Sequence, residues 1–281
     1  MDELVLKEFD MSSIPQDSIL VFIGKRNTGK SFLVKDFLYH HQNMPKGVVI
    51  SGTERVNPFY GKMIPKSFIH YKYKPEIIRN VLSLQEGIVT KHKEKIEKKE
   101  NPKENPNCFL IMDDCLYDNS WKKDEGIAEI FMNGRHYKLM FILTMQYSLG
   151  ITPYLRGNID YVFILREPLT NNRKKLYEHY CSMFPTFDIF CQVMDACTED
   201  YQCLVIHNGS KSNKIEDQVF YYKAKPHEEF RIGNNKFWSY HDEKYNENNK
   251  LMKSDENNIN NDKKNYRGKN KPIINIKKIK Q

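Results

Sequence analysis

Short apolar runs alternate along the chain with longer segments in which apolar residues recur every three or four positions. The runs cover residues 19–23, 47–51, 108–112, 139–144 and 161–165, and each is too short and too uniformly apolar for a surface helix. Strands that are buried on both faces have this pattern, and they are typical of parallel sheets. The sequence therefore predicts five central strands.

The segments between these runs predict amphipathic helices. One spans residues 31–41 and a second runs from 74 to about 99, before Pro102 and Pro106. A third, for which Ser120 is a candidate N-cap, precedes the fourth strand, and a fourth helix covers 172–183. The positions expected to face the core are Phe32, Leu33, Phe37 and Leu38 in the first helix, Ile77, Ile78, Val81, Leu82 and Leu84 in the second, and Ile127, Ile130 and Phe131 in the third.

Two later strands, 202–207 and 218–222, are expected to pair at a sheet edge across the polar turn 208–213. Strands and helices alternate throughout, which predicts an α/β fold with a mostly parallel sheet and helices on both faces. From residue 243 the composition shifts to Asn, Lys, Asp and Glu. We therefore expect a folded domain over 1–242 and a disordered tail over 243–281.

The formal net charge of +8 belongs to this tail, because residues 263–280 contain seven lysines, Arg267 and no acidic residue. Such a segment binds polyanions through phosphate neutralisation, or it serves only to keep the protein in solution; both interpretations stay open. Hydrophobic residues make up 40% of the 281 positions, enough for a substantial core. No run of 18 apolar residues occurs and the first residues are unlike a signal peptide, so a soluble protein of a cytoplasm-like compartment is expected.

The six cysteines have neither C-x-x-C spacing nor a Cys/His grouping typical of zinc sites. We interpret them as free thiols, most of them buried. They are Cys108, Cys115, Cys181, Cys191, Cys197 and Cys203.

The first candidate site is a complete G-x-x-x-x-G-K-[S/T] sequence, placed between an apolar strand and an amphipathic helix as a P-loop requires. Its backbone N–H groups and the helix N-terminus would bind phosphates, while Lys30 would reach the β- and γ-phosphates and Ser31 would bind Mg²⁺. The candidate nucleotide-binding residues are Gly24, Lys25, Arg26, Asn27, Thr28, Gly29, Lys30, Ser31 and Phe32.

The second candidate is the pair of acids after the strand 108–112, a pattern typical of a Walker B motif. Asp113 would hold Mg²⁺ together with Ser31, and Asp114 would act as the general base that polarises the attacking water. The guanine-binding patterns are absent: no D-x-x-G follows the strand, and N-K-x-D is approached only by Asn213, Lys214 and Glu216. The sequence therefore favours ATP.

Three further residues complete the candidate site. Gln146 follows the fourth strand and is a candidate sensor of the γ-phosphate. Arg156, shortly before the fifth strand, is a candidate arginine finger that would enter a neighbouring subunit's site, and Arg135 competes for that role.

Taken in order, residues 24–31, 111–114, 134–136, 144–147 and 156–160 resemble the DNA-packaging ATPases of nucleocytoplasmic large DNA viruses. That family includes the poxvirus packaging ATPase and belongs to the FtsK–HerA branch of P-loop ATPases. The similarity covers about residues 15–210, and the R-H and R-x-N-I-D segments are more specific to the family than the Walker motifs.

The resemblance implies an ASCE-type, RecA-like P-loop NTPase fold and a homo-oligomeric ring of roughly five or six subunits. Such a ring hydrolyses ATP with Mg²⁺ and moves double-stranded DNA into a capsid, in contact with capsid or portal-vertex proteins. It implies a location in the infected-cell cytoplasm, a viral factory or the virion. It also implies Gln146 as the sensor, Arg156 as the finger in trans, and Asp114 where many relatives have glutamate.

Three other functions remain open at this point. They are those of another DNA translocase or helicase of the same superfamily, of an ATP-gated assembly scaffold with little turnover, and of a small-molecule kinase. The function of an ATP-driven translocase depends on Asp114, whereas the function of a scaffold does not. A kinase would transfer phosphate at a rate that DNA does not change.

Overall fold

The computed structural model describes residues 4–115, 120–147 and 150–247. Nine strands of these residues form a single sheet. They are β1 (Lys7–Glu8), β2 (Ile19–Ile23), β3 (Gly47–Ser51), β4 (Ile69–His70), β5 (Cys108–Asp113), β6 (Leu139–Met145), β7 (Tyr161–Ile164), β8 (Gln202–His207) and β9 (Val219–Lys223). The α-helices of the described residues are α1 (Lys30–His40), α2 (Pro75–Glu97), α3 (Glu125–Asn133), α4 (Pro153–Arg156), α5 (Thr170–Tyr180), α6 (Phe187–Cys197) and α7 (Asn235–Glu247).

The strand order is β1-β9-β8-β7-β2-β6-β5-β3-β4. Pairs from β7 through β2, β6, β5 and β3 to β4 are parallel, whereas β8 is antiparallel to both β7 and β9. The predicted α/β fold with a mostly parallel sheet is confirmed. The predicted pairing of the two late strands is also confirmed, although the two-residue strand β1 pairs with β9 and covers that edge.

Alternate residues of the central strands point into two separate hydrophobic clusters, one on each face of the sheet. On β2, Ile19, Val21 and Ile23 face the cluster that contains α2, α3, α5 and α6, while Leu20 and Phe22 face the cluster that contains α1. Both sets are buried, which explains why the strand sequences are uniformly apolar. The sheet is therefore covered on both faces, as the sequence predicts.

The structure corrects three local predictions. Phe32 is 42% exposed. The buried face of α1 consists of Val34 and Asp36 together with the predicted Leu33, Phe37 and Leu38. Leu84 is exposed on α2, and its neighbour Gln85 is buried and donates a hydrogen bond to the carbonyl of Pro106.

The N-cap of α3 is Asp124 and not Ser120. The Asp124 side chain accepts hydrogen bonds from the backbone N–H groups of Gly126 and Ile127, whereas Ser120 begins a separate 3₁₀ turn. Asp and Ser are about equally good caps, so cap preference alone does not choose between them. The tertiary structure decides at which residue α3 begins. The cysteines of the described chain are free, and five of the six are buried, with Cys191 half-buried, which confirms their interpretation.

The chain divides into two compact units, 1–239 and 240–281. The first contains the whole sheet, and the described part of the second is the end of α7, up to residue 247. The rest of the predicted tail, including the basic stretch 263–280, lies outside the described residues. None of the helices formed by the described residues is both long and apolar enough to span a bilayer.

Gly47 leaves space on one face of the sheet for a phenylalanine ring from the neighbouring strand. It pairs with Phe109, and a Cβ on Gly47 would lie 2.2 Å from the Phe109 ring. We expect Gly47→Ala to lower the free energy of unfolding by about 1–3 kcal/mol, the usual cost of overpacking a core. Urea denaturation would measure this as a lower midpoint with an unchanged slope.

Gly87→Ala is the matched control, because Gly87 lies on the exposed side of α2 and a Cβ there would meet no atom within 4 Å. This change is expected to raise stability by about 0.5–1 kcal/mol through helix propensity. A Gly47→Ala variant that is as stable as wild type would show that the Phe109 ring can move aside without a cost in stability.

Candidate nucleotide site

The predicted motifs meet at one edge of the sheet. The strands β2, β6 and β5 are neighbours and parallel, so the segments that follow them emerge at the same carboxyl edge. The P-loop follows β2, Asp113 ends β5 with Asp114 directly after it, and Gln146 follows β6. The strand order thus brings together residues that are far apart in the sequence.

The P-loop has the backbone conformation that its glycine pattern predicts. Gly29 is the N-cap of α1 with φ 92°, a left-handed conformation that glycine adopts without steric cost, and Asn27 also has a positive φ of 62°. The N–H of Gly24 donates to the carbonyl of Met145 over 3.0 Å, and the Thr28 hydroxyl donates to the carbonyl of Lys25 over 2.8 Å. The N-terminus of α1 is therefore presented at the site, where its unpaired N–H groups favour an anion.

Asp113 is oriented by two hydroxyl groups from neighbouring strands. The Thr144 hydroxyl donates to Oδ1 over 2.5 Å, and the Ser51 hydroxyl donates to Oδ2 over 3.2 Å. Burial raises the pKa of Asp113 above its usual value, although these hydrogen bonds and Lys30 oppose the shift. A carboxylate has about four acceptor positions, so each oxygen keeps capacity for a cation.

Lys30 begins α1 and is partly enclosed beside the two acids. Burial lowers the pKa of its ammonium group, and the charges of Asp113 and Asp114 oppose that shift. Low-dielectric surroundings strengthen every interaction between these charges. The enclosed edge therefore disfavours both isolated cations and isolated carboxylates, and it suits a ligand that carries charges of both signs, such as a metal–phosphate pair.

Asp114 and Gln146 form a hydrogen-bonded unit. The Nε2 of Gln146 donates to both carboxylate oxygens of Asp114, at 2.8 and 3.0 Å, and the backbone N–H of Asp114 donates to the Thr144 hydroxyl over 3.1 Å. Asp114 has φ 50°, a left-handed conformation that Asp and Asn tolerate better than most residues. The candidate base and the candidate sensor are thus coupled directly.

Two neighbours of the P-loop were not predicted from the sequence. Lys25 forms an ion pair of 2.7 Å with Glu167, which is buried after β7 and also accepts the N–H of Leu169. The ring of Tyr201 lies against Gly29, so that a methyl group on that glycine would be 3.1 Å from Tyr201 Cδ1. Only the strand order places these segments beside the loop, and the sequence signal for either is weak.

The two candidate arginines lie toward the opposite, amino edge of the sheet. Arg135 pairs with Asp160, whose other oxygen accepts the N–H of Ile19 at the start of β2 over 2.8 Å. Arg156 ends the short helix α4, and its guanidinium lies 5.9 Å from the ring centre of Tyr180, at the end of α5. Neither arginine is placed at the P-loop of its own chain.

The segment that approaches a guanine-binding pattern is also at that amino edge. Residues 213–216 lie in the connection from β8 to β9, and β8 ends beside the start of β7. Their position is therefore distant from the P-loop, which agrees with the preference for ATP inferred from the sequence.

No family model matches the chain. Two viral proteins without a known role are similar to it over most of their length. The uncharacterized protein L437 of Acanthamoeba polyphaga mimivirus is 45% identical over 242 residues, which are 86% of this chain and 84% of that protein. The uncharacterized protein 088R of Invertebrate iridescent virus 3 is 37% identical over 221 residues, which are 78% and 80% of the two chains.

Two solved structures are similar to the chain at low sequence identity. EssC (ATPases 2 and 3) from Geobacillus thermodenitrificans matches with a TM-score of 0.50 and 12% identity over 75% of this chain and 41% of that chain. The genome packaging NTPase B204 from Sulfolobus turreted icosahedral virus 2 matches with a TM-score of 0.49 and 17% identity over 76% and 99% of the two chains. The likeness to EssC concerns the fold alone, and it agrees with the predicted α/β fold class.

Proposed function

The chain belongs to the same family as L437 of mimivirus and 088R of Invertebrate iridescent virus 3, and on this premise we propose that it is an ATP-hydrolysing translocase that packages viral double-stranded DNA into a capsid. The observation that carries the hydrolytic part is the convergence of the P-loop, Asp113, Asp114 and Gln146 at one sheet edge. The packaging part is supported by the resemblance of residues 134–136 and 156–160 to packaging ATPases and by the viral origin of the relatives.

Ser31 and Asp113 fit Mg²⁺. Asp113 supplies a carboxylate with free acceptor positions that Thr144 and Ser51 orient, and oxygen donors are the ligands that Mg²⁺ prefers. Its enclosed charge, which burial disfavours, would gain a compensating partner. When bound, Mg²⁺ neutralises phosphate charge and holds the phosphates in position.

The remaining steps belong to side chains of the chain itself. The P-loop N–H groups and Lys30 bind the phosphates, with Lys30 reaching the β- and γ-phosphates. Asp114 accepts a proton from the attacking water as general base, and Gln146 holds the carboxylate of Asp114 and senses the γ-phosphate. The hydrogen bond between Gln146 and Asp114 links the presence of the γ-phosphate to the position of the base.

The placement of the arginines favours a ring. Arg156 and Arg135 lie away from the P-loop of their own chain, so either can act as a finger only in the site of a neighbouring subunit. Arg135 is paired with Asp160, whereas the partly exposed guanidinium of Arg156 lies beside the ring and the hydroxyl of Tyr180. Arg156 is therefore our first candidate for the finger. We further propose that the ring binds DNA, contacts capsid proteins and is located in a viral factory.

Asp114→Asn tests the function. Hydrolysis measured as phosphate release, with and without double-stranded DNA, is expected to fall by about 100-fold or more, because loss of a general base costs roughly 10²–10⁴. In wild type, double-stranded DNA is expected to raise the rate of hydrolysis. ATP binding by the variant is expected to be retained, because Asn has the same size, suits a positive φ and still accepts a hydrogen bond from Gln146.

Asp188→Asn, an exposed acid at the start of α6, is the control and should behave as wild type. If Asp114→Asn supported genome packaging normally, the chain would be an ATP-gated scaffold. If wild type transferred phosphate to a nucleoside or metabolite and ignored DNA, it would be a kinase.

A further inference from the structure

A second cluster of ligand-type side chains lies on α1, away from the P-loop edge. It consists of Asp36 and His40, one turn apart on the helix, and His227, which follows β9. One ligand atom from each residue lies within 4.8 Å of the others, and Asp36 is completely buried. None of these residues takes part in the proposed reaction.

The two oxygens of Asp36 have different partners. Oδ2 accepts the hydroxyl of Tyr222 over 2.6 Å and the backbone N–H of Lys225 over 3.2 Å. Oδ1 faces the two imidazoles: Nε2 of His227 is in hydrogen-bond contact with it, and Nε2 of His40 is 3.5 Å away. Protein donors therefore fix one oxygen, and the other is directed at two ring nitrogens.

His40 is the member of the cluster that hydrogen bonding leaves unexplained. Its Nε2 is shielded from solvent and has no hydrogen-bond partner among the described residues, although it points to the carboxylate. A buried polar atom without a partner costs free energy, and such atoms are rare in folded proteins. A ligand that accepts electron pairs from both imidazoles and from Oδ1 would satisfy this nitrogen.

We propose that Asp36, His40 and His227 bind a divalent transition-metal ion, with Zn²⁺ as the first choice. Two imidazoles and a carboxylate suit zinc, whereas Mg²⁺ and Ca²⁺ prefer oxygen ligands. With zinc–ligand bonds of about 2.0–2.2 Å, tetrahedral ligand atoms are about 3.3–3.6 Å apart, a range that includes the 3.5 Å between His40 Nε2 and Asp36 Oδ1. Binding requires His227 to move outward from its contact with Asp36, and water is the fourth ligand.

The surroundings already provide the second shell of such a site. The hydroxyl of Tyr222 orients the carboxylate, and the ring of Tyr39 stacks on His227 with centroids 3.7 Å apart and planes 9° apart. Outer-shell groups of this kind hold the ligands of metal sites in position. The ion would join the helix that begins at the P-loop to the segment after β9, and so it would restrain α1.

Zinc binding by the full-length protein tests the proposal. After removal of metals with a chelator, zinc is titrated in competition with a chromophoric chelator, and bound metal is counted by mass spectrometry. We expect one zinc per wild-type chain. His40→Asn and His227→Asn should lower the affinity by at least about 100-fold, and Tyr222→Phe by about 10–100-fold, the usual loss for an outer-shell partner.

His40→Asn is the decisive variant, because it leaves the hydrogen bonds of Asp36 with His227, Tyr222 and Lys225 intact. Its metal-free form should have the melting temperature of metal-free wild type, whereas zinc should raise the melting temperature of wild type and not that of His40→Asn. His92→Asn, on the distant helix α2, is the control and should bind zinc as wild type does. Wild type that takes up no stoichiometric zinc, or His40→Asn that binds it equally well, would overturn the proposal and leave a purely hydrogen-bonded cluster.

Discussion

Arg156→Ala is expected to lower ATP hydrolysis by about 10³-fold, and mixing it with Lys30→Ala protein is expected to restore part of the activity. An arginine finger contributes about 10³–10⁵ to the rate by stabilising charge in the transition state. Because Arg156 lies at the amino edge of the sheet, beside Tyr180, it cannot serve the P-loop of its own chain. If the proposed ring forms, mixtures of the two variants would contain interfaces that combine an intact P-loop from one subunit with an intact Arg156 from its neighbour.

The measurement is phosphate release at fixed total protein over a range of mixing ratios, with assembly checked by light scattering. Arg79→Ala is the matched control, since Arg79 is an exposed arginine on α2 that pairs with Glu76. Arg135→Ala in the same assay separates the two candidates. Assembled mixtures without any recovered activity would contradict the role of Arg156 in trans.

Lys30→Ala alone is expected to reduce hydrolysis by at least about 100-fold, the usual loss when one preorganised charge-stabilising group is removed. ATP binding should weaken as well. Lys30 supplies a positive charge beside Asp113 and Asp114, so its loss removes part of the positive charge that offsets the repulsion between these carboxylates and the phosphates. This double effect distinguishes it from Asp114→Asn, which should keep ATP binding.

Phosphate release and equilibrium binding of a fluorescent ATP analogue check this prediction. Lys211→Ala, an exposed lysine in the connection between β8 and β9 at the other edge of the sheet, is the control. Hydrolysis within a few-fold of wild type in Lys30→Ala would exclude residues 24–31 as the catalytic P-loop.

The structure gives a physical reason for aspartate at position 114, where the resemblance leads one to expect glutamate. The residue adopts a positive φ, which Asp and Asn tolerate through their short polar side chains and which longer residues disfavour. Gln146 then holds the shorter carboxylate by both oxygens. The backbone at the end of β5 therefore suits aspartate better than the longer glutamate at this position.

Most of the fold could be predicted from the sequence, because strands buried on both faces are uniformly apolar and amphipathic helices have a distinct period. Elements of two or four residues, such as β1, β4 and α4, have no period to detect. The exposed positions of Phe32 and Leu84 and the cap at Asp124 depend on the rotation and entry of a helix, which the facing elements decide.

The sequence by itself determined the features whose chemistry is contiguous: the P-loop, the two acids after β5 and the alternation of strands and helices. Only the tertiary structure decided which distant side chains meet. The hydroxyls of Ser51 and Thr144 on Asp113, the ion pair of Lys25 with Glu167, and the position of Arg156 all follow from the strand order. The same holds for the cluster of Asp36, His40 and His227. Periodicity specifies which face of an element is buried, but the partner on that face depends on how the sheet is wound.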